Sequence, residues 1–252
     1  LVDDLGEDWL EGALSIDPDE TEVIVPLIPA HPELKRGLQP TRDYITHFAT
    51  SGGMCTRYLR VPLVGGTPRE VFVDEGRGNA HCPHCPTDGN LVLIDRDLPP
   101  NFWCGGDDGR SNRCWILDLK TQALTPIVPR NAQRFQVHAC WTFDGLDVFY
   151  HGWRIEGGWY IGVADQQGQI VREYDFPEAL GYGHVSADPT RQAIILDGNV
   201  TTDMLMWLYW DAETPRLEPI CRHATEWDSL WGQLHDPHPA AGLLQHLAVP
   251  LG

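Results

Sequence analysis

The hydrophobic and polar residues of this chain alternate in short runs that are typical of β-strands. Aromatic and β-branched residues fill these runs, and Gly, Pro, Asp or Asn bounds each of them. Six examples are Thr21–Val25, Leu91–Ile94, Asp147–Tyr150, Trp159–Val163, Ala193–Leu196 and Trp207–Trp210. The chain also contains 25 Gly and 20 Pro, which leave little room for long helices. We therefore predict an all-β protein.

A repeated phrase subdivides this pattern. It reads H-C-P-H-C-P-T-D-G-N-L-V-L-I-D from His81, H-A-C-W-T-F-D-G-L-D-V-F-Y-H from His138 and H-V-S-A-D-P-T-R-Q-A-I-I-L-D from His184. A copy without the histidine, L-S-I-D-P-D-E-T-E-V-I-V, begins at Leu14. Each copy predicts a strand, a D-G or D-P turn and a second strand, and a further predicted hairpin follows it. Two hairpins per unit give the four strands of a β-propeller blade.

The repeat favours a β-propeller over a β-sandwich, because a sandwich would not repeat one phrase in one register. The chain holds about four to five such units. We treat residues 1–252 as a single propeller domain that is incomplete at its N-terminus and its C-terminus. The segment Leu243–Gly252 has neither a D-G turn nor a second hairpin, so we expect the chain to be a fragment of a larger ring.

The net charge limits the partners of the protein. The sequence has 18 Lys and Arg against 36 Asp and Glu, a formal charge of −18. This balance argues against binding to nucleic acid and against docking on an anionic membrane surface. The seven cysteines are an odd number without the spacing of a disulfide scaffold, which favours a reducing compartment. We expect a cytoplasmic protein.

The histidines at the start of the repeats are the main candidates for chemistry. His81, His138 and His184 hold the same place in three successive copies, and His235 and His238 lie where a fourth is expected. In a propeller, corresponding positions of successive blades meet around one mouth of the central channel. One such histidine alone is best explained as a core residue. Repetition at one register favours a shared site instead, because crowded polar side chains need a partner, and a divalent metal ion is the obvious one.

Three of these motifs resemble a known family. The segments H-A-C-W-T-F-D-G around His138, G-H-V-S-A-D-P around His184 and Q-L-H-D-P-H-P from Gln233 are similar to those of oligogalacturonate lyases. These enzymes are seven-bladed β-propellers that bind manganese and cleave short pectin fragments by β-elimination. The resemblance covers essentially the whole chain, as the middle and later blades of the family. It implies a lyase that acts on oligogalacturonides or related acidic oligosaccharides.

The resemblance also implies a metal site. His184, Gln233 and His238 match metal ligands of the family. Where the family has one more histidine, this chain has Asp236, and His235 lies one place earlier. Side chains alternate along a strand, so either Asp236 is the ligand or a bulge lets His235 replace it. The family implies Mn2+, and an aspartate ligand would also suit Mg2+ or Ca2+.

The remaining matches suit elimination from a uronate. His138 matches the base that removes the C5 proton, and a neutral imidazole is well suited to that task near pH 7. Arg113 matches an arginine that faces the substrate, and its charge would help to offset the negative charge of the carboxylate. By position, we expect His81 and Trp141 to contact the sugar.

Alternatives to this interpretation stay open. The altered metal motif favours a non-catalytic propeller that binds a sugar or a protein, and a lyase for another uronate polymer would use the same base and metal. The C-x-x-C motif of Cys82 and Cys85, with Cys104 and Cys114, could also hold a structural zinc ion. Packed cysteines explain that motif more simply, because the second pair has the wrong spacing.

Overall fold

The part of the chain that the computed structural model describes consists of β-strands, turns and irregular segments. It comprises residues 8–30, 52–78, 81–97, 112–128, 134–154, 156–176, 184–190, 192–198, 204–210 and 214–222. None of these residues lies in a helix, and accordingly no described segment forms a helix that could cross a membrane. The all-β prediction is confirmed.

The first sheet is built around two long antiparallel strands. Its strands are β1 (Trp9–Glu11), β2 (Ser15–Ile16), β3 (Glu22–Pro29), β4 (Cys55–Pro62) and β5 (Arg69–Glu75). β1 and β2 both pair antiparallel with β3, at different points along it, and β4 and β5 continue the order. The sheet is therefore four strands wide, with an interrupted first strand.

Three further antiparallel sheets of four strands follow, each with its strands in chain order. The second sheet contains β6 (His84–Cys85), β7 (Asp88–Asp95), β8 (Cys114–Asp118) and β9 (Leu124–Pro126). The third contains β10 (Arg134–Trp141), β11 (Asp147–Arg154), β12 (Trp159–Asp165) and β13 (Ile170–Phe176). The fourth contains β14 (Val185–Ala187), β15 (Ala193–Leu196), β16 (Met204–Tyr209) and β17 (Arg216–Arg222). Each repeated phrase forms the first hairpin of one sheet, as predicted.

The aspartates of the repeated turns hold these hairpins. Asp17 Oδ1 accepts hydrogen bonds from the backbone N–H groups of Thr21 and Glu22, at 2.7 and 2.8 Å. Asp188 Oδ1 accepts from the backbone N–H and the hydroxyl of Thr190, at 2.8 and 2.7 Å. Burial alone would raise the pKa of Asp17, but the hydrogen bonds from Glu22 and Thr21 outweigh it and lower the pKa. The D-P turns are therefore closed by short, charge-assisted contacts.

The chain divides into two compact units with separate cores. The first comprises Leu1–Val137 with Gln166–Gln169, and the second comprises His138–Asp165 with Ile170–Gly252. In the first unit one buried cluster joins the first two sheets, and it contains Ile24, Tyr58, Cys82, Val92, Ile94, Leu117 and Leu119. In the second unit another joins the last two sheets, and it contains Phe149, Ile161, Val163, Ile194, Leu196, Met206, Leu208 and Trp210. The single domain over residues 1–252 stays a prediction.

Candidate functional site

Three histidines gather within the second unit. His138 lies on β10, His151 lies on β11, and His184 directly precedes β14. The ring centroids of His138 and His184 are 4.8 Å apart with the rings edge-on, and those of His138 and His151 are 5.9 Å apart with the rings nearly parallel. The structure thus brings together the predicted base and a predicted metal ligand, and adds a third imidazole.

The three rings differ in their access to solvent. The side chain of His184 is 21% exposed and His138 is half-buried, whereas His151 is fully buried. His138 and His184 can therefore meet a ligand from solvent, and the buried ring of His151 stacks against that of His138. Their grouping follows from the repeat, because His138 and His184 begin the repeated phrases of two sheets that pack together.

A buried carboxylate holds His184 in place. Asp197, which follows β15, accepts the backbone N–H of His184 on Oδ1 at 2.7 Å, and its Oδ2 lies 3.0 Å from Nδ1 of the ring. A carboxylate oxygen can only accept, so Nδ1 carries the ring proton and Nε2 keeps its lone pair. This is the arrangement by which proteins prepare a histidine to bind a metal ion.

The same pair recurs in the first unit, where Nδ1 of His81 lies 2.8 Å from Oδ2 of Asp95 at the end of β7. The histidine precedes the aspartate by 14 residues in this pair and by 13 residues in the pair of His184 and Asp197. In the third sheet the corresponding place after His138 is taken by His151. Two sheets therefore carry a histidine–aspartate pair, and the sheet of the predicted base carries a histidine pair.

Arg113 lies in a network of buried ion pairs in the first unit. Its Nη2 is 2.9 Å from Asp95 Oδ2, its Nε donates to Asp97 Oδ1 at 3.0 Å, and its Nη1 donates to the carbonyl of Val137. Burial disfavours the charge, but Asp95 and Asp97 outweigh it and raise the pKa of Arg113 above its ordinary value. Asp95 therefore contacts both His81 and Arg113, and Arg113 also contacts Asp97. The predicted contact of Arg113 with a substrate stays a prediction.

The other predicted site residues are placed as follows. Trp141 ends β10 and its side chain is buried, so its contact with a sugar stays a prediction. Gln233, His235, Asp236 and His238 lie outside the described residues. Within the described residues, no group of three or more His, Cys, Asp or Glu side chains is arranged to hold a metal ion. Their part in a metal site with His184 stays a prediction.

The described cysteines of the proposed zinc motif behave as packing residues. Cys82, Cys85 and Cys114 are buried, and Cys104 lies outside the described residues. Burial raises the pKa of the Cys82 thiol, and burial with the nearby charge of Asp95 raises that of Cys114. A thiol must lose its proton to bind zinc, so these surroundings oppose a zinc site.

Sequence reasoning missed Asp95, Asp197 and His151, although the signal for them was present. Each is the last residue of the repeated phrase that begins with its histidine partner. The phrase spans one hairpin, so its first and last residues lie across two neighbouring strands and their side chains can meet. The two ends of each repeated phrase therefore predict all three contacts.

Comparison with known proteins supports the fold. No protein-family model matches the chain, and no curated protein matches its sequence. A solved oligogalacturonate lyase in complex with manganese is similar with a TM-score of 0.69 and 16% identity, over 89% of this chain and 56% of that one. An oligogalacturonate lyase from Vibrio parahaemolyticus is similar with a TM-score of 0.67 and 19% identity, over 91% of this chain and 58% of that one. Prolyl oligopeptidase B from Galerina marginata is similar with a TM-score of 0.53 and 12% identity, over 87% of this chain and 27% of that one.

These likenesses concern the fold, because all three identities are low. The chain spans just over half the length of the two lyases that it resembles. The four sheets are β-propeller blades, and the predicted fold class is confirmed. Lyases and a peptidase share this architecture, so the function has to be argued from the site.

Proposed function

We propose that this protein cleaves oligogalacturonides by β-elimination with the help of a divalent metal ion. One observation carries the proposal: His138 and His184, which the sequence motifs assign to the base and to a metal ligand, have ring centroids 4.8 Å apart within one unit. A base and a metal ligand that serve one sugar ring have to lie near each other, and these two rings do. The fold likeness to two oligogalacturonate lyases, one of them in complex with manganese, supports the same interpretation.

The donor set fits a divalent ion. Asp197 fixes Nδ1 of His184 and leaves Nε2 as a ligand, and we expect Gln233, His238 and either Asp236 or His235 to complete the site. An imidazole with amide and carboxylate oxygens suits Mn2+, and the oxygen ligands would also suit Mg2+ or Ca2+. When bound, the ion would act as a Lewis acid that offsets the negative charge of the uronate carboxylate.

His138 is the base in this scheme. An imidazole nitrogen of His138 takes the proton from C5 of the uronate, and the electrons of that C–H bond form the C4–C5 double bond. The bond between C4 and its glycosidic oxygen breaks, and the departing oxygen takes a proton from water. The hydroxide that remains takes up the proton held by His138, which makes the imidazole neutral again. Atoms and charges balance without an oxidant or a reductant. The half-buried position of His138 gives it access to a sugar while the packed strands limit its movement.

The test is the ultraviolet absorbance of the conjugated, unsaturated uronate product. Purified protein is incubated with oligogalacturonides, with and without Mn2+, and compared with the variants His138→Ala and His184→Ala. Each substitution should lower the rate at least ~100-fold, because each removes a group that acts in the transition state. Only His184→Ala should also weaken Mn2+ binding.

His84→Asn, which alters a buried histidine of the first unit, is the matched control and should keep the wild-type rate. Wild-type protein that yields no absorbing product from any uronic acid oligomer would refute the proposal.

One observation favours a second candidate, a non-catalytic module that binds acidic oligosaccharides. The guanidinium of Arg113 is engaged by Asp95 and Asp97, whereas a lyase would use it on the substrate. Calorimetric titration with oligogalacturonides separates the two functions. Binding without product supports the module, and product from glucuronate-containing oligomers alone would identify a lyase for another uronate polymer.

A further inference from the structure

We propose that Asp197 is a positioning residue that presents Nε2 of His184 to the metal ion. The inference deepens the proposed function and rests on it. Asp197 follows β15, and its carboxylate is almost completely buried beside the partly exposed ring of His184. It is the last residue of the repeated phrase that begins with His184.

The contacts of Asp197 fix both the backbone and the ring of His184. Oδ1 accepts the backbone N–H of His184 at 2.7 Å, and Oδ2 lies 3.0 Å from Nδ1 of the same residue. The backbone N–H of Asp197 in turn donates to the carbonyl of His184 at 3.4 Å. One buried residue therefore sets the position of the main chain, the rotation of the ring and the nitrogen that carries the proton. Outer contacts of this kind raise the basicity and the precision of a ligand.

The first unit supplies an internal comparison. His81 and Asp95 form the same pair at the same place in the repeat, with Nδ1 and Oδ2 2.8 Å apart. There the guanidinium of Arg113 contacts the same carboxylate oxygen at 2.9 Å. Asp95 thus divides its charge between an imidazole and a buried arginine, in a pair that no motif assigns to a metal site. The histidine–aspartate pair therefore recurs in two copies of the repeat, and in the copy of His184 the histidine is a predicted metal ligand.

The first experiment measures Mn2+ affinity by calorimetric titration of wild-type protein and of Asp197→Asn. Loss of an outer carboxylate typically weakens metal binding about 10- to 100-fold, and we expect a rise of that size in Kd. Asp188→Asn is the matched control, because Asp188 is an equally buried aspartate of the same sheet whose oxygen closes a turn at Thr190. Thermal unfolding in EDTA should show that both variants lose stability, while only Asp197→Asn loses Mn2+ affinity.

The second experiment does not use Asp197→Asn and decides the matter if that variant fails to fold. Nitrogen-15 spectra of the histidine rings in metal-free wild-type protein report which ring nitrogen carries the proton, and His184→Gln identifies the signals of His184. We expect a protonated Nδ1 and a bare Nε2, with the Nε2 signal broadened first when Mn2+ is added.

The outcomes separate this inference from the proposed function. Wild-type protein that binds no Mn2+ overturns the metal site itself. Wild-type binding with an unchanged Kd in Asp197→Asn overturns only the role of Asp197. A proton on Nε2 of His184 in the wild-type spectra does the same. A raised Kd together with a protonated Nδ1 supports the inference.

Discussion

Arg113 shows how strongly a single buried charge depends on its partners. Its guanidinium is only 2% exposed and lies between the buried carboxylates of Asp95 and Asp97. The two carboxylates carry one charge more than the arginine neutralises, so the group as a whole keeps a negative charge. Asp95 also contacts Nδ1 of His81, so Arg113 helps to hold the carboxylate that fixes the His81 ring.

Replacement of Arg113 by alanine should destabilise the protein by about 3–5 kcal/mol, because two buried carboxylates would lose their counter-charge. Urea denaturation followed by tryptophan fluorescence measures the loss. Arg69→Ala is the control, since Arg69 is exposed and pairs with Glu22 at 3.3 Å, and loss of such a surface pair should cost about 0–1 kcal/mol. Equal losses for the two variants would show that the buried network contributes no more than a surface pair.

The buried His84 makes the stability of the first unit depend on pH. Burial lowers the pKa of His84 to about 4, and the positive charge of Arg60 adds to this effect. Its backbone N–H and Nδ1 contact the hydroxyl of Ser15, and its Nε2 has no hydrogen-bond partner among the described residues. The folded protein therefore holds this ring neutral, whereas the unfolded chain protonates it near its ordinary pKa of about 6.5.

The contribution of His84 is complete above pH ~6.5 and is lost as the pH falls toward ~4, because protons then favour the unfolded chain. Over that window we expect a loss of about 3 kcal/mol from this residue. Urea denaturation at several pH values measures it, and His84→Asn should remove this part of the slope. An identical pH dependence in the variant would contradict the assignment.

At the level of strands, one row of three residues crosses the third sheet. Tyr150 on β11 pairs with Gly162 on β12, which pairs with Glu173 on β13. The ring of Tyr150 lies across Gly162, and its hydroxyl donates to Glu173 Oε2 at 2.9 Å. A tyrosine can span the middle strand in this way only because the residue beneath it has no side chain.

Gly162→Ala should therefore destabilise the protein, by about 1–3 kcal/mol or more. A Cβ at this position would lie 2.4 Å from the ring of Tyr150, so the ring would have to leave its contact with Glu173. Gly89→Ala is the control, because a Cβ there meets Pro18 at an ordinary 3.4 Å. Thermal unfolding of both variants tests the prediction, and a second variant that adds Tyr150→Ala to Gly162→Ala should cost less than the sum of the two changes. Strict additivity would contradict the steric explanation.

These strand-level features mark what the sequence can predict and what it cannot. The first hairpin of each sheet was predictable because strand, turn and strand are adjacent and the Asp of the turn acts locally, as at Asp17 and Asp188. The grouping of His138 with His184 was predictable from their shared place in the repeat. The row formed by Tyr150, Gly162 and Glu173 depends on the register between β11, β12 and β13. That register is set by packing and by turn geometry, neither of which can be read from the amino-acid sequence.

For the molecule as a whole, the net charge of −18 opposes the approach of the proposed anionic substrate. Added salt should therefore raise kcat/KM for longer oligogalacturonides, because the screening distance shrinks from ~30 Å at ~0.01 M to ~8 Å at ~0.15 M. Steady-state rates over this range measure the effect, and a short oligomer with fewer charges is the control and should respond less. A fall in kcat/KM with salt would show that local positive charge dominates the approach.

The order of the strands has a consequence for how the chain comes to be folded. In the last three sheets every strand pairs with its neighbours in sequence, so each hairpin can close soon after it leaves the ribosome, at a small cost in loop entropy. The cluster of Ile24, Tyr58 and Val92 joins the first two sheets, however, and the first sheet alone leaves its part of that cluster in water. Synthesis should thus proceed through intermediates in which the first sheet exposes an apolar face until the second covers it, and the third sheet does the same until the fourth covers it.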